Sequence, residues 1–114
     1  MALVYKIATM AQWRAAESER RFLGAPIDLA DGYIHFSSAE TVRETAARHF
    51  AGQGDLLLVA VEAEKLGPAL KWEVSRGGAL FPHLYAPLAL DDVSWTKPLP
   101  LGADGVHLFP ETLA

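Results

Sequence analysis

Two segments of the chain concentrate side chains that can hold a ligand or move a proton. The first, residues 31–37, reads Asp-Gly-Tyr-Ile-His-Phe-Ser. The second, residues 71–85, combines aromatic, acidic and basic side chains around a Gly-Gly turn: Trp72, Glu73, Arg76, His83 and Tyr85. An imidazole exchanges protons near neutral pH, since its unperturbed pKa is ~6.5. This density of polar and aromatic groups favours a ligand cleft over a structural Glu–Arg pair with aromatic packing.

The first segment alternates in the manner of a half-buried strand over residues 32–37. Ile34 and Phe36 point to one face, which we assign to the core. The other face carries Tyr33, His35 and Ser37. Ser37, with Glu40 three residues on, also has the spacing of a capping box, and the free N–H groups of a helix N-terminus suit an anion. The alternative is a solvated face on which Ser37 only caps the helix.

The second segment predicts a strand, a turn and an extended piece. In a regular strand Glu73 and Arg76 point apart unless a bulge or the turn intervenes. Beyond the turn, Phe81, His83 and Tyr85 share a face. We therefore expect the second segment to fold back against the strand that carries His35.

The remaining histidines show weaker evidence of a functional role. His49 lies on the apolar face of a predicted helix and is expected to be a hydrogen-bonded core residue. The four histidines, at positions 35, 49, 83 and 107, lack metal-ligand spacing, and cysteine is absent. The sequence predicts no metal site and excludes thiol chemistry.

Composition limits the class of protein. The 114 residues suffice for one domain with a core, and 51% of them are hydrophobic. The net charge is −4 and the arginines are interleaved with acids, so nucleic acid is a poor partner. The longest strongly apolar run, residues 56–61, is too short to span a membrane, and residues 1–10 lack a signal-peptide pattern. We expect a cytoplasmic protein with a small-molecule ligand; its oligomeric state stays open.

The elements that position these residues follow the order β-α-β-α-β and then mostly strands. The predicted strands cover residues 3–8, 32–37, 55–63, 70–75 and 93–101, with a short return strand at 106–109. The predicted helices run from about Met10 to Arg20, capped by Thr9 and Gln12, and from Ser37 to the Gly52–Gly54 region; residues 22–31 are predicted to be a loop. This order predicts a single α+β domain with mostly antiparallel later strands.

Three motifs carry a family resemblance over nearly the whole chain. "DGYIHFSS", "KWEVSRGGALFPHLYAPL" and "RFLGAPIDLADG" resemble the small bacterial family called domain of unknown function 952. More distantly, the path from "VYKIAT" through a helix to "GYIHFSS" is similar to ADP-ribosyltransferase folds, in particular the tRNA 2′-phosphotransferase branch. Tyr5 then matches a first-strand tyrosine, and residues 35–37 match a His-Leu-Ser strand.

The distant resemblance implies a transferase or hydrolase that acts on NAD, ADP-ribose or a related phosphorylated molecule through a ribosyl cation. Glu73 would be the nearby anion, with Asp31 in reserve, and Arg76 would hold the pyrophosphate. His83 would move a proton. His35 and Ser37 would contact ribose hydroxyls, and Tyr85 or Trp72 would stack on a base.

A second hypothesis is that the same cleft binds a ligand without catalysing a reaction. Lys6 or Ile7 stands where the ADP-ribosyltransferase-like proteins have a first-strand histidine that holds a ribose. This departure favours a non-catalytic domain that binds a small anionic metabolite. The two hypotheses differ in whether a carboxylate faces the ligand, which depends on the strand register at Glu73.

Overall fold

The computed structural model describes residues 2–111 and 113, the side chain of Arg76 excepted. No helix in this described part is long and apolar enough to cross a membrane. The elements follow in the order β1 (Leu3–Thr9), α1 (Met10–Glu19), β2 (Arg21–Phe22), α2 (Pro26–Asp31), β3 (Ile34–His35), α3 (Val42–His49), β4 (Leu56–Glu62), α4 (Ala63–Leu66), β5 (Leu70–Val74), β6 (Leu80–Leu84), β7 (Leu88–Ala89) and β8 (Val93–Pro98).

Strand β4 is the centre of the main sheet, whose order is β1-β4-β8 with both pairings antiparallel. Its apolar run has no alternation because both faces are covered. Val59 and Val61 belong to one hydrophobic cluster, while Leu56, Leu58 and Ala60 belong to a second cluster on the other face. The prediction of a strand buried on both sides is confirmed.

A second antiparallel sheet, β3-β6-β5, carries the predicted site segments. Ile34 and Phe36 are each 2% exposed, whereas Tyr33 and His35 are partly exposed. The alternation expected for the first segment is therefore confirmed from Tyr33 to Phe36, but Ser37 is only 4% exposed and the strand is limited to Ile34–His35 instead of residues 32–37. The expectation that the second segment folds against it is also confirmed, since β6 pairs with both β3 and β5. The α+β class with mostly antiparallel strands is likewise confirmed.

Helix α1 begins as its sequence predicts. The Thr9 side chain accepts a hydrogen bond from the backbone N–H of Gln12, and the Gln12 side chain accepts one from the Thr9 N–H. The helix ends at Glu19, and Arg20 takes a left-handed conformation with φ 59°. Both halves of the capping box are therefore present.

The prediction of a loop over residues 22–31 is wrong in part, because α2 forms there and β2 precedes it. Pro26 starts α2, a position where the missing proline N–H costs nothing. The Asp28 side chain accepts the N–H of Ala25 at 2.7 Å and so caps the helix. Gly24 and Pro26 are typical of loops and led to the loop prediction, although proline is also favoured at the first position of a helix.

Ser37 does not cap the second helix as predicted. Its backbone forms an antiparallel bridge with Tyr5, with N–H···O distances of 2.8 Å in both directions, so the chain is still extended here. Helix α3 starts only at Val42. The predicted return strand, residues 106–109, is reduced to a single bridge between Leu101 and His107.

His49 is exposed, so its assignment to the core is wrong. Val42 and Ala46 fill the buried face of α3, while His49, at the last position of the helix, turns toward a cleft. The short helix leaves no further turn to cover it.

Candidate functional site

Two histidines form the centre of the site. His35 on β3 and His83 on β6 are direct partners in the antiparallel register, and their ring centroids lie 5.6 Å apart. Directly opposed residues project from the same face of a sheet. His83 is only 4% exposed, whereas about a third of the His35 side chain is accessible, at 32%.

Each ring nitrogen of His35 meets a carboxylate. Nδ1 lies 2.6 Å from Oδ1 of Asp28, and Nε2 lies 3.0 Å from Oδ2 of Asp31. An ionised carboxylate only accepts hydrogen bonds, so both contacts are hydrogen bonds only when the imidazole carries a proton on each nitrogen. The orientation of the ring is thereby fixed by two carboxylates of α2.

Asp28 is the anchor of this arrangement and is 1% exposed. Both its oxygens bind Nζ of Lys6, at 3.0 and 2.8 Å, and Oδ1 also accepts the backbone N–H of His35 at 3.1 Å. Burial by itself would raise the pKa of Asp28, but the hydrogen bond from His35 and the adjacent Lys6 charge outweigh burial and lower it to about 2. Burial also lowers the pKa of Lys6, and Asp28 offsets part of that change.

His83 is oriented by a separate carboxylate. Its Nδ1 lies 2.7 Å from Oε1 of Glu73, and the same oxygen accepts the Tyr85 hydroxyl at 2.7 Å. The hydrogen bonds from His83 and Tyr85 lower the pKa of Glu73. The hydrogen bond to Glu73 raises the pKa of Tyr85 to about 12. Glu73 is therefore an ionised acceptor that fixes a proton on Nδ1 of His83.

Tyr33 packs over the histidine pair. Its ring is stacked on His83 at a centroid distance of 4.2 Å, and it lies 4.6 Å from His35 and 5.2 Å from Tyr85. Burial, together with the charges of Asp31 and Glu73, raises the pKa of Tyr33. Because it packs against both imidazoles, the phenol ring limits the directions in which either of them can move.

The histidine pair opens on a cleft of ≈ 530 Å³, a size within the range of small-molecule sites. Strand β1, α2 and α3 form its walls together with the second sheet. The polar and charged side chains that line it are Lys6, Gln12, Asp31, His35, Ser37, Thr45, His49, Ser75 and His83.

Most of the predicted site residues come together here. His35, Ser37 and His83 line the cleft, and Glu73 and Tyr85 lie directly behind His83. Trp72 belongs to the opposite face of β5, 45% exposed and paired with Pro82, so the structure does not bring it to the cleft. The predicted role of the Arg76 side chain lies outside the described residues and stays a prediction.

The sequence reasoning missed Asp28 and the role of Lys6. The position of Asp28 three residues after Ala25, with Pro26 between, is the spacing of an N-terminal helix cap and was the available signal. No sequence pattern links Lys6 to a carboxylate 22 positions away. Within the described residues, no group of three His, Asp or Glu side chains is arranged to hold a metal ion.

Comparison with solved structures identifies close relatives of the whole domain. The crystal structure of protein CC0527 from Caulobacter crescentus superposes with a TM-score of 0.90 at 56% identity, over 93% of each chain. The solution NMR structure of CC0527 gives a TM-score of 0.84 at 57% identity, over 93% of this chain and 91% of that one. No curated protein matches the chain. Residues 7–96 match the family described as "Protein of unknown function (DUF952)", and the chain therefore belongs to that family.

Proposed function

We propose that the cleft binds a phosphorylated small molecule of the NAD or ADP-ribose class and acts on it as a transferase or hydrolase. One observation carries the proposal. Two adjacent histidines face the same cleft, and each has a carboxylate on its Nδ1. A histidine oriented in this way by a carboxylate is the usual arrangement for proton transfer.

The two histidines are suited to different roles. With Nδ1 protonated toward Glu73, a neutral His83 presents Nε2 as an acceptor, so it can take a proton from an attacking water or hydroxyl group. Both ring nitrogens of His35 are held by carboxylates, Nδ1 by Asp28 and Nε2 by Asp31, so His35 suits positioning Asp31 toward the ligand. Glu73 acts through His83 and is a positioning residue in this scheme.

A positive ribosyl centre needs a nearby anion. Glu73 is engaged by His83 and Tyr85, whereas Asp31 lines the cleft itself. In this proposal Asp31 therefore takes the part first given to Glu73. The distant resemblance to ADP-ribosyltransferase folds supports the same substrate class, through the match of residues 35–37.

The test is calorimetric titration with NAD and ADP-ribose, together with NMR observation of whether NAD is consumed. His83→Gln should abolish consumption, and His35→Asn should weaken binding. His107→Gln is the matched control, because His107 lies outside the cleft and its bond to the Gln53 carbonyl can be made by an amide. If neither compound binds the wild-type protein at millimolar concentration, the proposal is wrong.

A non-catalytic domain that binds a small anionic metabolite is the second candidate. Lys6 or Ile7 stands at the position of the ribose-holding histidine in the resembled folds, and both oxygens of Asp28 bind Lys6. It cannot replace that histidine while the ion pair holds. Recovery of NAD intact after binding would favour this candidate over the enzyme.

A further inference from the structure

Two polar atoms beside the histidines, Nε2 of His83 and the hydroxyl oxygen of Ser37, can act as acceptors toward the cleft, which restricts the ligand group that fits there. We infer that the enclosed part of the ligand is a hydroxyl-bearing group with neutral or positive charge, such as a ribosyl unit joined to a cationic base, and that the phosphates lie outside. This inference rests on the proposed function and specifies which end of the molecule enters.

His83 is the first of these acceptors. It is 4% exposed and lines the cleft, yet its Nε2 has no hydrogen-bond partner among the residues that the structure describes. An ionised Glu73 can only accept, so the proton of a neutral His83 is on Nδ1 and Nε2 has a free lone pair. A buried acceptor without a partner is costly, and a ligand O–H or N–H would satisfy it.

Ser37 is the second acceptor. Its hydroxyl oxygen lies 2.9 Å from that of Thr45, and the Thr45 hydroxyl donates to the carbonyl oxygen of Thr41 at 3.1 Å. A hydroxyl group has one proton, so when Thr45 donates to the Thr41 carbonyl, Ser37 is the donor in the Ser37–Thr45 bond. The Ser37 oxygen then has only lone pairs to offer the cleft, in which it lies two positions along from His35.

The charge of Asp31 also favours a cationic group in the cleft over an anionic one. Among the described residues, the carboxylates of Asp28, Asp31 and Glu73 lie around the histidine pair. Two ammonium groups lie near them: that of Lys6, which Asp28 binds, and that of Lys71, which is opposite His83 in the β5–β6 register and whose charge lowers the pKa of Glu73. Asp31 is 42% exposed and reaches the cleft. A cationic ribosyl group beside Asp31 would be stabilised by its charge, whereas a phosphate in the same place would be repelled.

The experiment compares two probes that separate the ends of the proposed ligand. Nicotinamide riboside carries the hydroxyls and the positive charge without phosphate, and inorganic phosphate carries the anion alone. Each is titrated into the ¹⁵N-labelled protein while the imidazole nitrogens of His83 are observed by NMR. We expect nicotinamide riboside to shift the Nε2 resonance of His83 and phosphate to leave it unchanged.

Two substitutions test the Ser37 acceptor and the Asp31 charge. Ser37→Ala and Asp31→Asn should each weaken binding of nicotinamide riboside about three- to tenfold, the usual effect of one lost hydrogen bond. Asp55→Asn is the matched control, since it makes the same charge change at an exposed residue outside the cleft. Asp31 is partly exposed, so its variant is expected to fold even if Ser37→Ala does not.

The outcomes separate this inference from the proposed function. If inorganic phosphate shifts the His83 Nε2 resonance and nicotinamide riboside does not, the ligand enters with the opposite orientation and the inference is wrong while NAD binding can still hold. If nicotinamide riboside leaves His83 unperturbed, the inference also fails. Titration with NAD itself then decides the proposed function independently.

Discussion

His35 and His83 are directly opposed on antiparallel strands, with ring centroids 5.6 Å apart, and each has a carboxylate on its Nδ1. The two carboxylates come from different parts of the chain, Asp28 from α2 and Glu73 from β5. The orientation of the two histidines therefore depends on helix α2, on the β3-β6-β5 sheet and, through Asp28, on Lys6 of β1 in the main sheet.

Lys6→Met should destabilise the fold by about 3–5 kcal/mol, because it leaves Asp28 as a buried charge without its cation. Combining it with Asp28→Asn should cost less than the sum of the two single changes. Chemical denaturation measures both. Lys65→Met, at an exposed lysine, is the control and should change stability by less than about 0.5 kcal/mol. Equal effects of the two lysine variants would contradict the buried ion pair.

Asp28 should make the fold sensitive to acid. Its pKa is 3.8 when unperturbed and about 2 in the fold, so its contribution is fully present above pH 3.8 and is lost as the pH falls toward about 2. The contribution amounts to about 2 kcal/mol. Unfolding free energies measured from pH 6 to pH 2 should show this loss. The loss should disappear in Asp28→Asn and persist in Asp91→Asn, a change at an exposed ion pair.

Glu73→Gln should lower the pKa of Tyr85 from about 12 toward its ordinary value of 10, because the charged acceptor of its hydroxyl proton is removed. NMR titration of the Tyr85 ring carbon gives this value directly. Glu40→Gln, at an exposed residue, should leave the Tyr85 titration unchanged. A Tyr85 titration that is the same in wild type and Glu73→Gln would remove the Tyr85–Glu73–His83 chain of contacts.

Gly24→Ala should disturb the site as well as the backbone. Gly24 has φ 130°, and an added Cβ would lie 2.8 Å from the Cβ of Asp28. Gly32→Ala imposes a comparable backbone penalty at φ 88° with nothing within 4 Å. Each should destabilise the fold by roughly 1–3 kcal/mol. Only Gly24→Ala should also shift the His35 imidazole resonances, and equal shifts in both variants would show that Asp28 does not transmit the change.

Several features of this protein follow from local sequence patterns. The alternation of residues 33–36 sets which side chains are buried, because successive residues of a strand point to opposite faces. The unbroken apolar run at residues 56–61 identifies the central strand, and Thr9 with Gln12 sets the start of α1. Each of these patterns depends on neighbours within a few residues.

Other features were decided by contacts between distant segments. Ser37 has the spacing of a helix cap, but pairing with Tyr5 of β1 keeps its backbone extended. Asp28 is in a stretch rich in glycine and proline, and its role comes from Lys6, a residue of another element. In the second segment, strand alternation predicts that Trp72 and Glu73 lie on opposite faces of the strand. The register of β5 on β6 decides which of these faces meets the cleft.

The sequence by itself thus determined the α+β class, the buried strand and the two segments that carry the site. The tertiary structure alone decided that His35 opposes His83 and that Asp28, Asp31 and Glu73 orient them. The physical reason is that residue periodicity is a local property of the backbone. Strand register and buried ion pairing are set by the energy of packing segments that lie tens of residues apart.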